Sequence, residues 1–226
     1  MSTENRPRVA VIDDETQTRR TFAVAYPQLD VVGSYSSVEE ELSHSPAVDL
    51  VVLDLMLDTG ASSDGLLQGT AAVHRLSQKG LVCLYTDERR PLVIARCFAA
   101  GAIGLVRKSD SLEDNAQGFL KAATGSPVVP RSMVGLAELL SRRDRLPELT
   151  ERQVQVLNAR ARGESWRSLS RRLNISPKTA YDHLEAVTAK MVWYLHDVGL
   201  DYDASPADVE RALGLAPGDL DDRRWS

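Results

Sequence analysis

The sequence predicts an α/β domain followed by a smaller all-α one, and three observations carry that expectation. First, 226 residues exceed a usual domain of roughly 100–150 residues and fall short of two large ones. Second, five short apolar runs recur through the first half, at 9–12, 31–35, 50–53, 81–85 and 103–106. Third, the second half replaces such runs with helical periodicity, start signals and a tight turn.

Apolar runs of four or five residues suit strands buried on both faces, the pattern of a parallel sheet. The stretches between them have helical spacing. Phe22, Val24 and Ala25 fall in the first, which ends at Pro27, while Ala72, Val73 and Leu76 fall in the third, which ends at Gly80. Pro91 suits the first turn of the fourth, which runs through Ile94 and Phe98 to Gly101. Strand and helix alternate five times, so a doubly wound α/β domain is expected over 1–125, with ligands gathered at the carboxyl ends of its strands.

Composition narrows the class. Apolar residues make up 43%, charged residues 26%, and the net charge is -5, which fits an ordinary globular protein rather than a disordered or membrane one. No apolar run approaches the roughly 20 residues of a membrane span, and the polar start MSTENRPRVAVIDDE is unlike a signal peptide. A cytoplasmic protein without a membrane partner is therefore expected. Cys83 and Cys97 lie in apolar stretches without metal-ligand spacing and read as buried free thiols.

The charge is unevenly spread. Residues 1–125 hold twelve Lys/Arg against seventeen Asp/Glu, residues 142–192 eleven against six, and residues 193–226 three against eight. An acidic first domain thus precedes a basic module with an acidic tail, which suits a phosphate- or metal-handling unit joined to a nucleic-acid binder. The tail has two readings: a helix with solvated acids, or a segment folded over the basic face.

The chemically distinctive residues fall at the strand ends: Asp13 and Asp14 after the first strand, Asp54 after the third, Thr86 after the fourth and Lys108 after the fifth. A lone Asp in such a place is usually a helix cap. Three carboxylates converging on one crevice repel one another unless a cation lies among them, and oxygen ligands favour Mg2+. One hydroxyl and one ammonium complete the parts needed to hold a phosphoryl group.

The strings VIDDE, VVLDL, YTD and VRKSD resemble the receiver domain of bacterial two-component response regulators over about 7–125. The resemblance implies a flavodoxin-like fold with five parallel strands. It makes Asp13 and Asp14 the acidic metal-binding pair, Asp54 the phosphorylated aspartate, Thr86 the switch hydroxyl and Lys108 the paired lysine. Met56 would offer its backbone carbonyl to Mg2+. A sensor histidine kinase is the implied phosphoryl donor, and the chain would be no enzyme beyond accepting the group on Asp54 and at most slowly losing it. Three positions depart from the family pattern. Asp58 stands where Pro is usual, with a longer loop up to Gly65 or Gly69; Asp87 follows the switch hydroxyl; and Leu105 occupies the place of an aromatic switch residue. A receiver that works without phosphorylation is the alternative these leave open.

Residues 126–145 read as a linker. Thr150 and Gln153 then form a capping box, and Val154, Leu157 and Ala161 give the next helix a buried face until Gly163. A second helix begins near Ser165 and carries Leu169 and Leu173. After a turn at Asn174, Ile175 and Ser176, Pro177 opens a third, whose inner face is Ala180, Leu184, Val187 and Met191. Two helices joined by a tight turn make a helix-turn-helix. The spacing of LTERQ, VL, Gly163-x-Ser165, Leu173, Ile175-Ser176, Thr179, His183 and Lys190-Met191 resembles the LuxR/NarL/FixJ-type DNA-binding domain, so 146–226 is expected to be a four-helix domain of this type with the acidic tail.

Helical spacing turns Lys178, Tyr181, Asp182 and Glu185 outward on the third helix. Two acids there disfavour phosphates yet permit base reading, because a carboxylate can accept from a cytosine amino group. Phosphate contacts would fall to Arg167, Arg171, Arg172 and Lys178, with Thr179 also in the contact set; any one of these arginines equally suits a solvated helix face. His183, Trp166, Trp193 and Tyr194 read as packing residues.

The leading expectation is a transcription regulator switched by phosphorylation of Asp54, binding promoter DNA as a homodimer on half-sites about one helical turn apart. The alternative from another class is an interaction module that contacts RNA polymerase or a sigma factor, favoured by Asp182 and Glu185. An aspartate-nucleophile phosphohydrolase needs Asp-x-Asp, whereas three residues separate Asp54 from Asp58, and no phosphate-binding Gly-rich loop precedes a Lys.

Overall fold

The computed structural model describes residues 6–57, 68–146 and 148–221. Within it the five apolar runs form one parallel sheet: β1 (Arg8–Ile12), β2 (Asp30–Tyr35), β3 (Leu50–Leu53), β4 (Val82–Tyr85) and β5 (Gly104–Val106), ordered β2-β1-β3-β4-β5. β1, β3, β4 and β5 lie buried almost throughout, because helices cover both faces. Register decides which residues emerge together at the strand ends. Ile12 pairs with Leu53, and Leu53 with Leu84, so Asp13 and Asp54 emerge side by side where the strand order reverses, the usual ligand crevice of such sheets.

Helices α1 (Thr16–Ala25) and α5 (Leu112–Ala123) share one core with the sheet, built on Val9, Val11, Phe22, Tyr26, Val52 and Phe119. Helices α2 (Val38–His44), α3 (Gly69–Ser77) and α4 (Pro91–Ala99) bury Val38, Val73, Ile94 and Phe98 in the other. Serine side chains cap α2 and α5: Ser37 accepts from the Glu40 amide and Ser111 from the Asp114 amide. Val24, expected with Phe22 on α1, is 82% exposed. Two residues along a helix turn about 200°, so it faces away from the core that Phe22 enters.

The segment 126–145, expected as a linker, is largely structured. Val128 pairs alongside Gly104 of β5, a 3-10 turn spans Arg131–Met133, and α6 covers Val134–Arg142. Met133, Leu136, Ala137 and Leu140 are buried, and their spacing is that of an apolar helical stripe.

Beyond it lie α7 (Glu151–Ala161), α8 (Trp166–Leu173), α9 (Pro177–Asp197) and α10 (Pro206–Ala212). The Thr150–Gln153 capping box forms in both directions. The buried face of α7 is Gln153, Val156, Leu157 and Ala159, whereas Val154 is half-buried and Ala161 exposed; the helix is rotated because it packs between α6 and α9. Asn174 takes a left-handed φ of 52° to end α8. The expected inner face of α9 is buried at Ala180, Leu184, Val187 and Met191. In the described part of the acidic tail, Glu210 accepts from the Gly218 and Leu220 amides, and Asp219 ties it back to Arg143 just past α6. Trp193 remains 46% exposed, edge-on to His196 rather than packed on the tail.

Candidate phosphoryl-acceptor site and nucleic-acid interface

The crevice at the strand ends gathers the predicted residues. Oxygens of Asp13, Asp14 and Asp54 lie within 4.8 Å of one another, with Asp13 and Asp54 buried. The Lys108 ammonium donates to both, at 2.8 Å each. Burial raises the Asp13 carboxyl above its usual range even though Lys108 and the Glu15 amide oppose the shift. Burial alone would lower the Lys108 ammonium, but its bonds to Asp13 and Asp54 prevail and raise it. An oxygen-only donor set of three carboxylates in a partly dry crevice fits a hard divalent cation. The Met56 amide donates to Asp54 at 3.1 Å, and the Met56 side chain points outward at 66% exposure, as expected if only its backbone serves the site.

Thr86 is buried at the end of β4, its amide bonded to the Val106 carbonyl and its hydroxyl accepting from the Glu88 amide. Of the three departures, Asp58 and Gly65 lie outside the described residues. Asp87 accepts from the Ser109 amide at 2.9 Å; burial pushes its carboxyl up, but the Ser109 bonds outweigh that and hold it below the usual range. Leu105 is buried, 2% exposed, as an apolar residue in β5 should be.

Two residues escaped the sequence reading. Arg19 of α1 donates to the carbonyls of Asp13 and Asp14 at 2.6 and 2.8 Å, which fixes the loop that aims both carboxylates. Tyr85 lies under Lys108, with the ammonium 5.6 Å from its ring centre. Tyr85 acts through a contact remote in sequence, which leaves no spacing signal; Arg19 acts on backbone carbonyls just before it, which no side-chain pattern marks.

In the second domain, α9 exposes Lys178, Thr179, Tyr181 and Asp182, with Glu185 half-buried. Lys178 pairs with Asp182 at 3.1 Å, and Arg172 of α8 pairs with Glu164 at 2.6 Å. Arg167 and Arg171 are exposed and line one groove with Trp166, Ile175 and Pro177. Trp166 carries Arg160 over its ring at 4.4 Å and tilts against Tyr181, so it packs as expected.

The two domains touch along α9 and the segment that follows it. Glu185 forms a 2.6 Å ion pair with Lys121 of α5. Farther along, His196 of α9 bonds to the Ala102 carbonyl, and the Tyr202 carbonyl accepts from Thr70 and Arg96. The α9 helix packs on α4.

Residues 147–193 match the luxR family of bacterial regulatory proteins. Over 191 residues the chain is 25% identical to the response regulator protein VraR of Staphylococcus aureus (strain NCTC 8325), covering 81% of this chain and 90% of the relative. In fold it is similar to RcsB from Salmonella enterica serovar Typhimurium bound to promoter P1flhDC in the presence of phosphomimetic BeF3-, with a TM-score of 0.51 and 17% identity over 85% of this chain and 97% of that one. A second RcsB structure, of two dimers bound to two parallel DNAs, gives a TM-score of 0.50 and 17% identity over the same shares. The second domain is thus similar to the luxR family of bacterial regulatory proteins over 147–193, and the chain has a receiver-plus-helix-turn-helix fold similar to that of RcsB.

Proposed function

We infer that the protein is a two-component, DNA-binding transcription regulator in which a sensor histidine kinase passes a phosphoryl group to Asp54. The observation that carries this reading is the Lys108 ammonium held between Asp13 and Asp54. In the transfer, an Asp54 carboxylate oxygen bonds to phosphorus as the phosphorus–nitrogen bond of the donor breaks, and the proton returns to the donor imidazole. Asp13, Asp14, Asp54 and the Met56 carbonyl would hold Mg2+, which supplies positive charge between the incoming oxygens and the nucleophile. Lys108 can pair with another phosphoryl oxygen, and Thr86 can hydrogen-bond a third. The chain acts as acceptor, with at most slow loss of the group. The test is intact mass after incubation with a small phosphodonor and Mg2+. The wild type should gain one phosphoryl group and Asp54→Asn none; uptake by the variant would overturn the assignment.

Promoter DNA is the proposed output partner, bound as a homodimer, as the DNA-bound RcsB dimers support. Arg167 and Arg171 are best placed for phosphates, because Arg172 is tied to Glu164. A cytoplasmic setting agrees with the lack, among the described residues, of any helix long and apolar enough to cross a membrane. One observation favours a second reading, an interaction module contacting RNA polymerase or a sigma factor: two of the outward residues on α9 are acidic. A salt-dependent shift of promoter DNA, lost in Arg167→Ala with Arg171→Ala, decides for the first.

A further inference from the structure

We propose that Glu185 is the specificity-determining group of the reading helix, accepting from the amino group of one cytosine in each half-site, and that this same carboxylate is occupied by Lys121 when the domains are closed. The proposal rests on the reading of the chain as a DNA-binding regulator. Along the outward face of α9, Lys178 and Asp182 satisfy one another within a single turn, and Tyr181 leans on Trp166. Glu185 differs, because its ion-pair partner comes from the other domain: Lys121 of α5, at 2.6 Å. Both side chains of that pair keep about a third of their exposure, 35% and 37%, so the bond is not deeply dry and can be exchanged for another.

The position suits base contact. Glu185 lies two turns past Pro177, about 12 Å along the axis, and the N-terminal part of such a helix is the part that meets base edges. A carboxylate only accepts hydrogen bonds. In the major groove cytosine offers an amino donor with no acceptor of its own beside it; adenine sets its N7 acceptor next to its donor, while guanine and thymine present acceptors. Glu185 therefore favours cytosine by attraction and disfavours the rest by repulsion. Arg167 and Arg171 supply the positive charge that lets an acid approach the duplex. Because a single carboxylate serves both contacts, reading a base and holding the receiver exclude one another.

The full-length protein should be taken through selection from DNA with randomised half-sites, followed by affinity measurement on the selected sequence. The wild type should require cytosine at one position. Glu185→Gln should move that preference to adenine, which Gln can bond bidentately, changing the cytosine-to-adenine ratio by about ten-fold or more. Lys121→Ala should keep the cytosine and tighten binding roughly two- to five-fold, the scale of a partly exposed ion pair. The proposal is overturned if Glu185→Gln keeps the cytosine, if Asp182→Asn shifts the preference instead, or if Lys121→Ala leaves affinity unchanged. A wild type that selects no DNA overturns the DNA-binding reading itself, an outcome distinct from these three.

Discussion

The hydroxyls of Tyr26 and Tyr85 lie 2.9 Å apart within a cluster that also holds the rings of Phe22 and Phe119. Asn115 donates to the Tyr26 hydroxyl at 3.2 Å, so a chain of buried polar groups runs from α5 to the floor beneath Lys108. Burial and the bond to Tyr26 push the Tyr85 phenol up, which keeps it neutral. Tyr26→Phe strands both neighbours, whereas Tyr85→Phe strands one. Losses of about 2–3 and about 1–2 kcal/mol are expected, respectively. The double variant should lose less than the sum, since the two residues share one bond; urea denaturation of the four proteins measures this.

Lys108 is the cation that makes the Asp13–Asp54 pair tolerable. Lys108→Ala leaves two buried carboxylates repelling each other, a loss tempered because the ammonium is 26% exposed. The variant should melt lower than wild type in chelator, and Mg2+ should raise its melting temperature more steeply, because the metal then replaces the missing charge as well as binding the folded state. Equal Mg2+ responses in the two proteins would argue against metal at these carboxylates.

Glu41 of α2 is 3% exposed, and its Oε2 has no hydrogen-bond partner among the described residues. Burial raises its carboxyl above the ordinary 4.5, with Lys79 opposing. A raised acid loses stability as it ionises: the fold is unpenalised below about pH 4.5 and penalised once pH has climbed through the folded value. Glu41→Gln should therefore stabilise by about 1 kcal/mol at pH 7, roughly 2–4 °C for a chain of this size, and the gain should vanish near pH 4. Thermal melts across that range check the sign.

Tyr202 stacks on His74 of α3 at 5.3 Å and 24° while its carbonyl takes bonds from Thr70 and Arg96. Tyr202→Ala removes the ring and keeps the carbonyl, so the clasp should loosen without opening fully. Stacking of this kind contributes about 0.5–1.5 kcal/mol, which corresponds to amide exchange in 199–205 faster by roughly two- to ten-fold. Exchange in β3, far from the clasp, should not change.

The strands and the crevice were legible because period and placement coincide: every buried run ends on a polar residue, and register does the rest. The helix-turn-helix was legible from Thr150, Asn174 and Pro177, which punctuate helices by their own backbone preferences. The α6 helix was missed although Met133, Leu136, Ala137 and Leu140 repeat at helical spacing, because Pro127 and Pro130 just before them signal a break. Val24 and Ala161 misled because short helices contain apolar residues on both sides, and only packing partners select the face. Contacts such as Lys121–Glu185 and Lys108–Tyr85 join residues remote in sequence and have no local signature.

The connection between the domains is tighter than its length suggests. Val128 is hydrogen-bonded to β5 on both sides, through the Ile103 carbonyl and the Leu105 amide, and the 3-10 turn begins at Arg131. Only Val129 and Pro130 are left between the edge of the sheet and the first helical turn, a span of at most about 7 Å when extended. A connection of this length is a short hinge, not a tether. A helix-turn-helix released from the receiver would stay within reach of its old seat at a high effective concentration, so each opening would be contested at once by reclosure.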